Sequence, residues 1–206
     1  MQKEKLNIDI GGRKNRNTLN GIWKVMDIIP KDTYIVDLNS CECLPLEDNS
    51  VDNYYTSHTL EHVKPERLQF IFSEIFRTLK EKGKIRIVVP DFELAMRRYF
   101  KDHKALFSAG SQGASYYPKT KMGKLLKWAY TSDQFTIDKK GNKKLWISGH
   151  KMIFDCETLF WYLTKVGFEG ITRKDFEKCS DIFVGKDLKD HRNYSLYVEA
   201  EKRRGR

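Results

Sequence analysis

Two clusters of residues in this 206-residue chain have the types and spacing to do chemistry. The first is His58-Thr-Leu-Glu61-His62, two imidazoles four residues apart with a carboxylate beside them. On a continuous helix that spacing turns both histidines towards one metal ion and makes the Glu a base, as in zinc hydrolases. Off a helix, an imidazole titrating near neutrality can take a proton from a hydroxyl or amine. The second cluster pairs Gly11-Gly12 with Asp27, 16 residues further on. Glycines let backbone approach a ligand closely. A carboxylate about 20 residues beyond such a turn can accept two hydrogen bonds from a ribose diol.

The elements around these residues decide between the readings. Lys5–Ile10 is apolar and β-branched and stops at Gly11-Gly12, a strand opening into a loop; Ile22–Asp27, Thr33–Leu38 and Val51–Thr56 read as further strands. From Glu66 to Lys80 the apolar residues Leu68, Ile71, Phe72, Ile75, Phe76 and Leu79 recur with helical period behind Pro65, a first-turn proline. A strand at Lys84–Val89, helices at Phe92–Phe100 and Cys156–Val166, and strands at Phe168–Arg173 and Ser195–Glu201 follow. This alternation predicts an α/β three-layer fold with a largely parallel sheet. Ligands of such sheets bind beyond the carboxyl ends of the strands, which is where Gly11-Gly12, Asp27, Asp37-Leu38, Ser57-His58 and Pro90-Asp91 fall.

The helix that zinc would need is therefore not expected. Val51–Thr56 is strand-like, Pro65 comes three residues after His62, and no third ligand stands out. No metal site is predicted, at Cys41-Glu42-Cys43 included, since no second Cys or His pair lies nearby to complete a tetrahedron. The four cysteines read as buried, reduced thiols. Glu61 reads as an anchor for neighbouring backbone.

The glycine turn narrows the ligand. Gly-Gly-Arg-Lys-Asn-Arg lacks the third glycine and the helix start of a dinucleotide fingerprint, and no Gly-Lys-Ser/Thr phosphate loop occurs. S-adenosylmethionine has a ribose and an adenine but no phosphate, and fits best. Leu6–Gly12, Met26–Ile28, Val36–Leu38, Leu44–Asp52, Ser57–His62 and Glu74–Lys80, taken in this order, resemble the small class I S-adenosylmethionine-dependent methyltransferases of the type-11-like subgroup, often associated with surface-glycan synthesis. His150–Asp155, Val166–Phe168 and Ser195–Ala200 are similar to that subgroup's C-terminal half.

The resemblance implies a Rossmann-like methyltransferase fold, a mostly parallel sheet with an antiparallel last strand, and S-adenosylmethionine as cofactor. It implies that Gly11 and Gly12 lie against the methionine part of the cofactor, that Asp9 is the acid ending the first strand (a shifted alignment puts a glycine there), and that Asp27 is the ribose acid. Asp37 and Leu38 match the adenine-flanking position, with Ser40 or Glu42 as alternatives because two extra residues precede Leu44-Pro45. Ser57 and His58 match the strand end facing the reacting methyl group, and His58 and His62 are the candidate general bases. Arg13 stands where a glycine is common; it either meets the cofactor carboxylate or fills the site.

Composition bounds the partners. Lys plus Arg total 38 against 28 Asp plus Glu, a formal charge of +10, and nine lysines against two aspartates fall between Tyr116 and Lys151. That field favours anionic partners. The chain reads as one domain, 1–206, with residues 102–150 as a basic insertion or lid. In it Met122, Leu125, Leu126 and Ala129 form a helical stripe edged by Lys121, Lys124 and Lys127, with Tyr116, Tyr117, Trp128 and Trp146 nearby. The expectation is methylation of a hydroxyl or amine on an anionic or glycan-like small-molecule acceptor. A non-catalytic relative binding nucleic acid or a partner through the lysines, and peripheral contact with acidic lipid, are the alternatives. No apolar run reaches bilayer length and the N-terminus lacks a secretory h-region, so a cytoplasmic location is expected.

Overall fold

The computed structural model describes residues 5–12, 23–28, 33–101, 119–130, 134–137, 143–147 and 149–203. Arg13, Tyr116 and Tyr117 lie outside them, as do most residues of the basic insertion. Seven strands form one sheet: β1 (Asn7–Ile10), β2 (Trp23–Asp27), β3 (Tyr34–Ile35), β4 (Val51–Ser57), β5 (Leu79–Pro90), β8 (Glu169–Lys174) and β9 (Ser195–Glu201). Their order is β3-β2-β1-β4-β5-β9-β8. Pairs from β3 to β5 are parallel, and β9 runs antiparallel to both β5 and β8. The order reverses between β1 and β4, so a crevice opens where those two strands end. β6 (Gln134–Ile137) and β7 (Lys143–Ile147) form a separate antiparallel pair.

Alternation along the strands sorts side chains to two faces. On one, Ile8, Tyr54, Ile87, Val89 and Val198 pack with Leu68, Phe72 and Ile75 of α1 (Pro65–Thr78) and Leu159 and Leu163 of α4 (Cys156–Val166). On the other, Trp23, Tyr55, Val88 and Tyr197 pack against Phe183. That residue belongs to a stretch between β8 and β9 containing short 3-10 turns at Asp181–Phe183 and Lys189–His191. An irregular segment thus covers sheet surface next to the crevice. α2 (Phe92–Phe100) begins at Asp91, whose carboxylate caps the Leu94 N–H at 2.9 Å. α3 (Lys121–Ala129) buries Leu125 and Ala129, the first of them clustered with Ala95 of α2, while Met122 is exposed, so its apolar stripe is narrower than the sequence suggests.

Two other elements depart from expectation. The helix expected to reach Lys80 stops at Thr78, whose hydroxyl donates to the Glu74 carbonyl and meets the Tyr54 hydroxyl at 2.7 Å; Leu79 then opens β5 with extended dihedrals. The strand expected over Thr33–Leu38 shrinks to Tyr34–Ile35, because the chain turns at Asp37, whose carbonyl accepts from Ser40 and Cys41 N–H. The cysteines are unpaired, but none is buried: Cys43 is exposed and the others are half-buried. Among the described residues no helix is long and apolar enough to cross a membrane.

Candidate active site

A cleft at the ends of β1 and β4 is lined by Asp9, Gly11, Gly12, Tyr55, Ser57, Lys186 and Leu188. Its floor is backbone. Gly11 adopts φ +76°, and its N–H donates to the Met26 carbonyl at 2.8 Å, tying the end of β1 to the end of β2. A Cβ here would stand 1.8 Å from Thr59 Oγ1, and one on Gly12 would stand 2.5 Å from the Asp9 carboxyl carbon. Both glycines are thus required by contact, and Gly11 by its left-handed backbone as well.

Asp9 is 4% exposed and ion-paired with the ammonium of Lys186, itself 2% exposed. The Lys186 ammonium lies 4.8 Å from the ring centres of both Trp23 and Tyr55, so aromatic faces supply part of the stabilisation that water would give. Burial pushes the Asp9 carboxyl above its ordinary range; Lys186 offsets this, and the negative charge of Asp27 adds to it. Asp9 and Asp27 therefore share one electrostatic neighbourhood. Asp27 is half-buried at the end of β2, and its Oδ1 accepts the Ile28 N–H at 2.6 Å. Ser57 Oγ is buried with no hydrogen-bond partner among the described residues.

The segment carrying Lys186 is pinned from below by Arg86, which is fully buried on β5. Its guanidinium bonds both oxygens of Asp187 (2.9 and 2.5 Å), Glu199 Oε1 (2.9 Å) and the Asp175 carbonyl (3.1 Å). Burial alone would lower the Arg86 pKa, but the hydrogen bonds and charge of Asp187 more than reverse that.

His58 takes the left-handed backbone region, φ +52°, between β4 and the 3-10 turn Leu60–His62. Its Nε2 lies 2.8 Å from Ser195 Oγ and its Nδ1 3.2 Å from Glu61 Oε1. His191 and Tyr194 pack against the ring at 4.0 and 5.5 Å. The zinc-hydrolase reading does not survive this arrangement: the continuous helix is absent, and His58 faces Ser195 while His62 packs edge-on against His150 at 5.0 Å. The Glu61 side chain does not anchor backbone either. Its carboxylate is fully buried among imidazoles, while its backbone carbonyl accepts from Lys151 and Met152 N–H. Burial raises its pKa, but the contact with His58 and the nearby charges of His58, His62 and His150 outweigh that and hold it at about 2.

The structure thus gathers Asp9, Gly11, Gly12 and Ser57 around one cleft with Asp27 beside it. His58 adjoins Ser57 in the chain but is engaged by Ser195 and Glu61. Leu38 is buried in the core cluster of α1 and α4, and Asp37 is exposed, its carboxylate accepting from Asn39 N–H and the Ser40 hydroxyl. The sequence reading passed over Lys186, 177 residues from Asp9, which sits in a stretch without periodicity.

Residues 26–87 match the profile of the family described as "Methyltransferase domain", type 11, a span that runs from the end of β2 into β5. Over this span, 62 of the 206 residues, the chain is similar to methyltransferase domains, and the solved structures of similar fold include S-adenosylmethionine-dependent methyltransferases. Solved structures agree in fold. A methyltransferase of this cofactor from Methanosarcina mazei superposes with TM-score 0.53 at 18% identity, covering 100% of this chain and 95% of its own. One from Archaeoglobus fulgidus gives 0.52 at 16%, covering 96% and 86%. Phosphoethanolamine N-methyltransferase 2 of Haemonchus contortus, in complex with S-adenosyl-L-methionine, gives 0.52 at 13%, covering 99% of this chain and 50% of that one. No curated protein matches the chain. In this chain the cleft presents a buried Ser57 hydroxyl that has no hydrogen-bond partner among the described residues, beside two glycines held close against Thr59 and Asp9.

Proposed function

We propose that the Asp9–Lys186 pair receives the amino-acid end of S-adenosylmethionine, that Gly11 and Gly12 let it lie against the first loop, and that Asp27 holds the ribose. One observation carries this reading. A buried carboxylate and a buried ammonium stand together in the cleft, complementary to the ammonium and carboxylate of the cofactor. Lys186 then supplies the cation that the sequence reading looked for in Arg13. When bound, the cofactor supplies a methyl group already activated by its sulfonium. The chain's own residues position the acceptor and exclude water. Ser57 ends β4 and His58 follows it, and His58 is the group to hold the acceptor proton, steadied by Ser195 and Glu61.

The acceptor we infer is a hydroxyl or amine on an anionic, glycan-like small molecule. The support is charge: Lys121 and Lys124 are exposed on α3, within a lysine-rich stretch of net charge +7 between Tyr116 and Lys151 (nine lysines less two aspartates). Calorimetry with S-adenosylhomocysteine tests the cofactor site. Lys186→Met is expected to weaken binding about 10- to 100-fold, as loss of a hydrogen bond to a charged group does; unchanged or tighter binding would show that Lys186 plugs the cleft. Transfer of labelled methyl to acidic against neutral oligosaccharides tests the acceptor class. A preference for neutral sugars, unaffected by salt, counts against it.

A further inference from the structure

Glu61, His62 and His150 form a cluster that methyl transfer does not require. One ligand atom from each lies within 4.8 Å of the others. Glu61 is 1% exposed; His58 Nδ1 lies 3.2 Å from its Oε1, while its Oε2 is buried with no hydrogen-bond partner among the described residues. Nδ1 of His62 is likewise buried without a hydrogen-bond partner. Desolvating a carboxylate without satisfying its oxygens is unfavourable unless a cation completes the site.

His150 is oriented for that purpose. Its Nδ1 lies 3.1 Å from the Ala129 carbonyl. A carbonyl only accepts, so Nδ1 carries the proton and Nε2 presents its lone pair, the tautomer that a hydrogen bond on the far nitrogen imposes on metal-bound imidazoles. The backbone holds the ligands together as well, since the N–H groups of Lys151 and Met152 both donate to the Glu61 carbonyl. Next to the cluster is a water-sized cavity lined by Glu61, His150, Trp128 and Met152 among others, room for a fourth, exchangeable ligand.

We propose that Glu61, His62 and His150 bind a divalent transition-metal ion of the zinc class, with the remaining position facing this cavity. Two imidazoles and a carboxylate are a donor set of that class. Bonds of about 2.1 Å place tetrahedral ligands about 3.4 Å apart, so the side chains draw in by about an ångström on binding. The ion would clamp the segment that returns from the insertion, Gly149–Phe154, onto the turn that follows β4.

Chelator-treated protein titrated with ZnCl2 by calorimetry, and with Co2+ followed by visible absorption, tests this. One equivalent should bind, with a tetrahedral Co2+ spectrum and a raised melting temperature. His150→Ala, His62→Ala and Glu61→Gln should each weaken binding by at least about 10-fold, while His58→Ala, which removes a neighbour of Glu61 rather than a ligand, should weaken it less than any of these. Circular dichroism of the metal-free variants separates loss of a ligand from loss of the fold, and each variant is compared only if folded. No saturable binding overturns the proposal. So does binding that depends on His58 as strongly as on His150, which would restore the His58-x-x-Glu61-His62 set, and so does binding unaffected by any of the four substitutions.

Discussion

Replacing Lys186 by Met removes the ammonium from a pair whose members are 2% and 4% exposed, with little change in side-chain volume. Removing one partner of a buried ion pair costs about 3–5 kcal/mol when the other must stay charged. Asp9 can escape by binding a proton, and this makes the effect depend on pH. In the wild type, burial already lifts its folded-state pKa above the ordinary 3.8, with Lys186 the main offset. A carboxyl whose pKa is raised on folding binds protons more tightly in the folded state. Stability therefore falls as pH rises from the unfolded pKa through the folded one, at about 1.4 kcal/mol per pH unit, and is level above it. Without Lys186 the folded pKa climbs further and the fall extends to higher pH. Urea denaturation at pH 5 and pH 8 should show Lys186→Met destabilised at both, with the gap to wild type wider at pH 8. Asp9→Asn added to Lys186→Met should recover most of the pH 8 loss, because no buried charge remains. A gap below about 1 kcal/mol, equal at both pH values, would refute the argument that these two groups are paired in a dry site.

Asp27→Ala should weaken S-adenosylhomocysteine binding about 10- to 100-fold in calorimetry while the melting temperature barely moves, since the side chain is half-buried at a strand end. Gly11→Ala should destabilise the fold by about 1–3 kcal/mol in urea and abolish measurable cofactor binding, because the backbone is at φ +76° and the new Cβ would overlap Thr59 Oγ1. Arg86→Met strands Asp187 and Glu199 in the interior and should cost about 3–5 kcal/mol. It should also weaken cofactor binding through the loosened Lys186 segment, and a folded variant with wild-type affinity would disconnect the two.

Much of this framework can be read from local patterns. The helical recurrence behind Pro65 marks α1 to within two residues, and apolar runs ending in Gly11-Gly12, Asp27 and Ser57 mark strands whose tips form the crevice. Other features leave no local trace. Arg86 reads as the outward polar position of a strand, yet it is fully buried, because a segment about a hundred residues away folds over that face with Asp187. Thr33–Leu38 has the composition of a strand but lies at the sheet edge with one neighbour, β2, so most of it is released into a turn.

The order of residue types along the chain determined the alternating α/β architecture, the glycine cradle and the acids at the strand ends, since all of these follow from near-neighbour periodicity and backbone sterics. Tertiary structure alone decided which charges meet. Lys186 reaches Asp9 across 177 residues, Ser195 reaches His58 across 137, and His150 joins Glu61 and His62. The reason is physical: pairing of this kind depends on which surfaces exclude water when the sheet is covered, and sequence spacing carries no record of that.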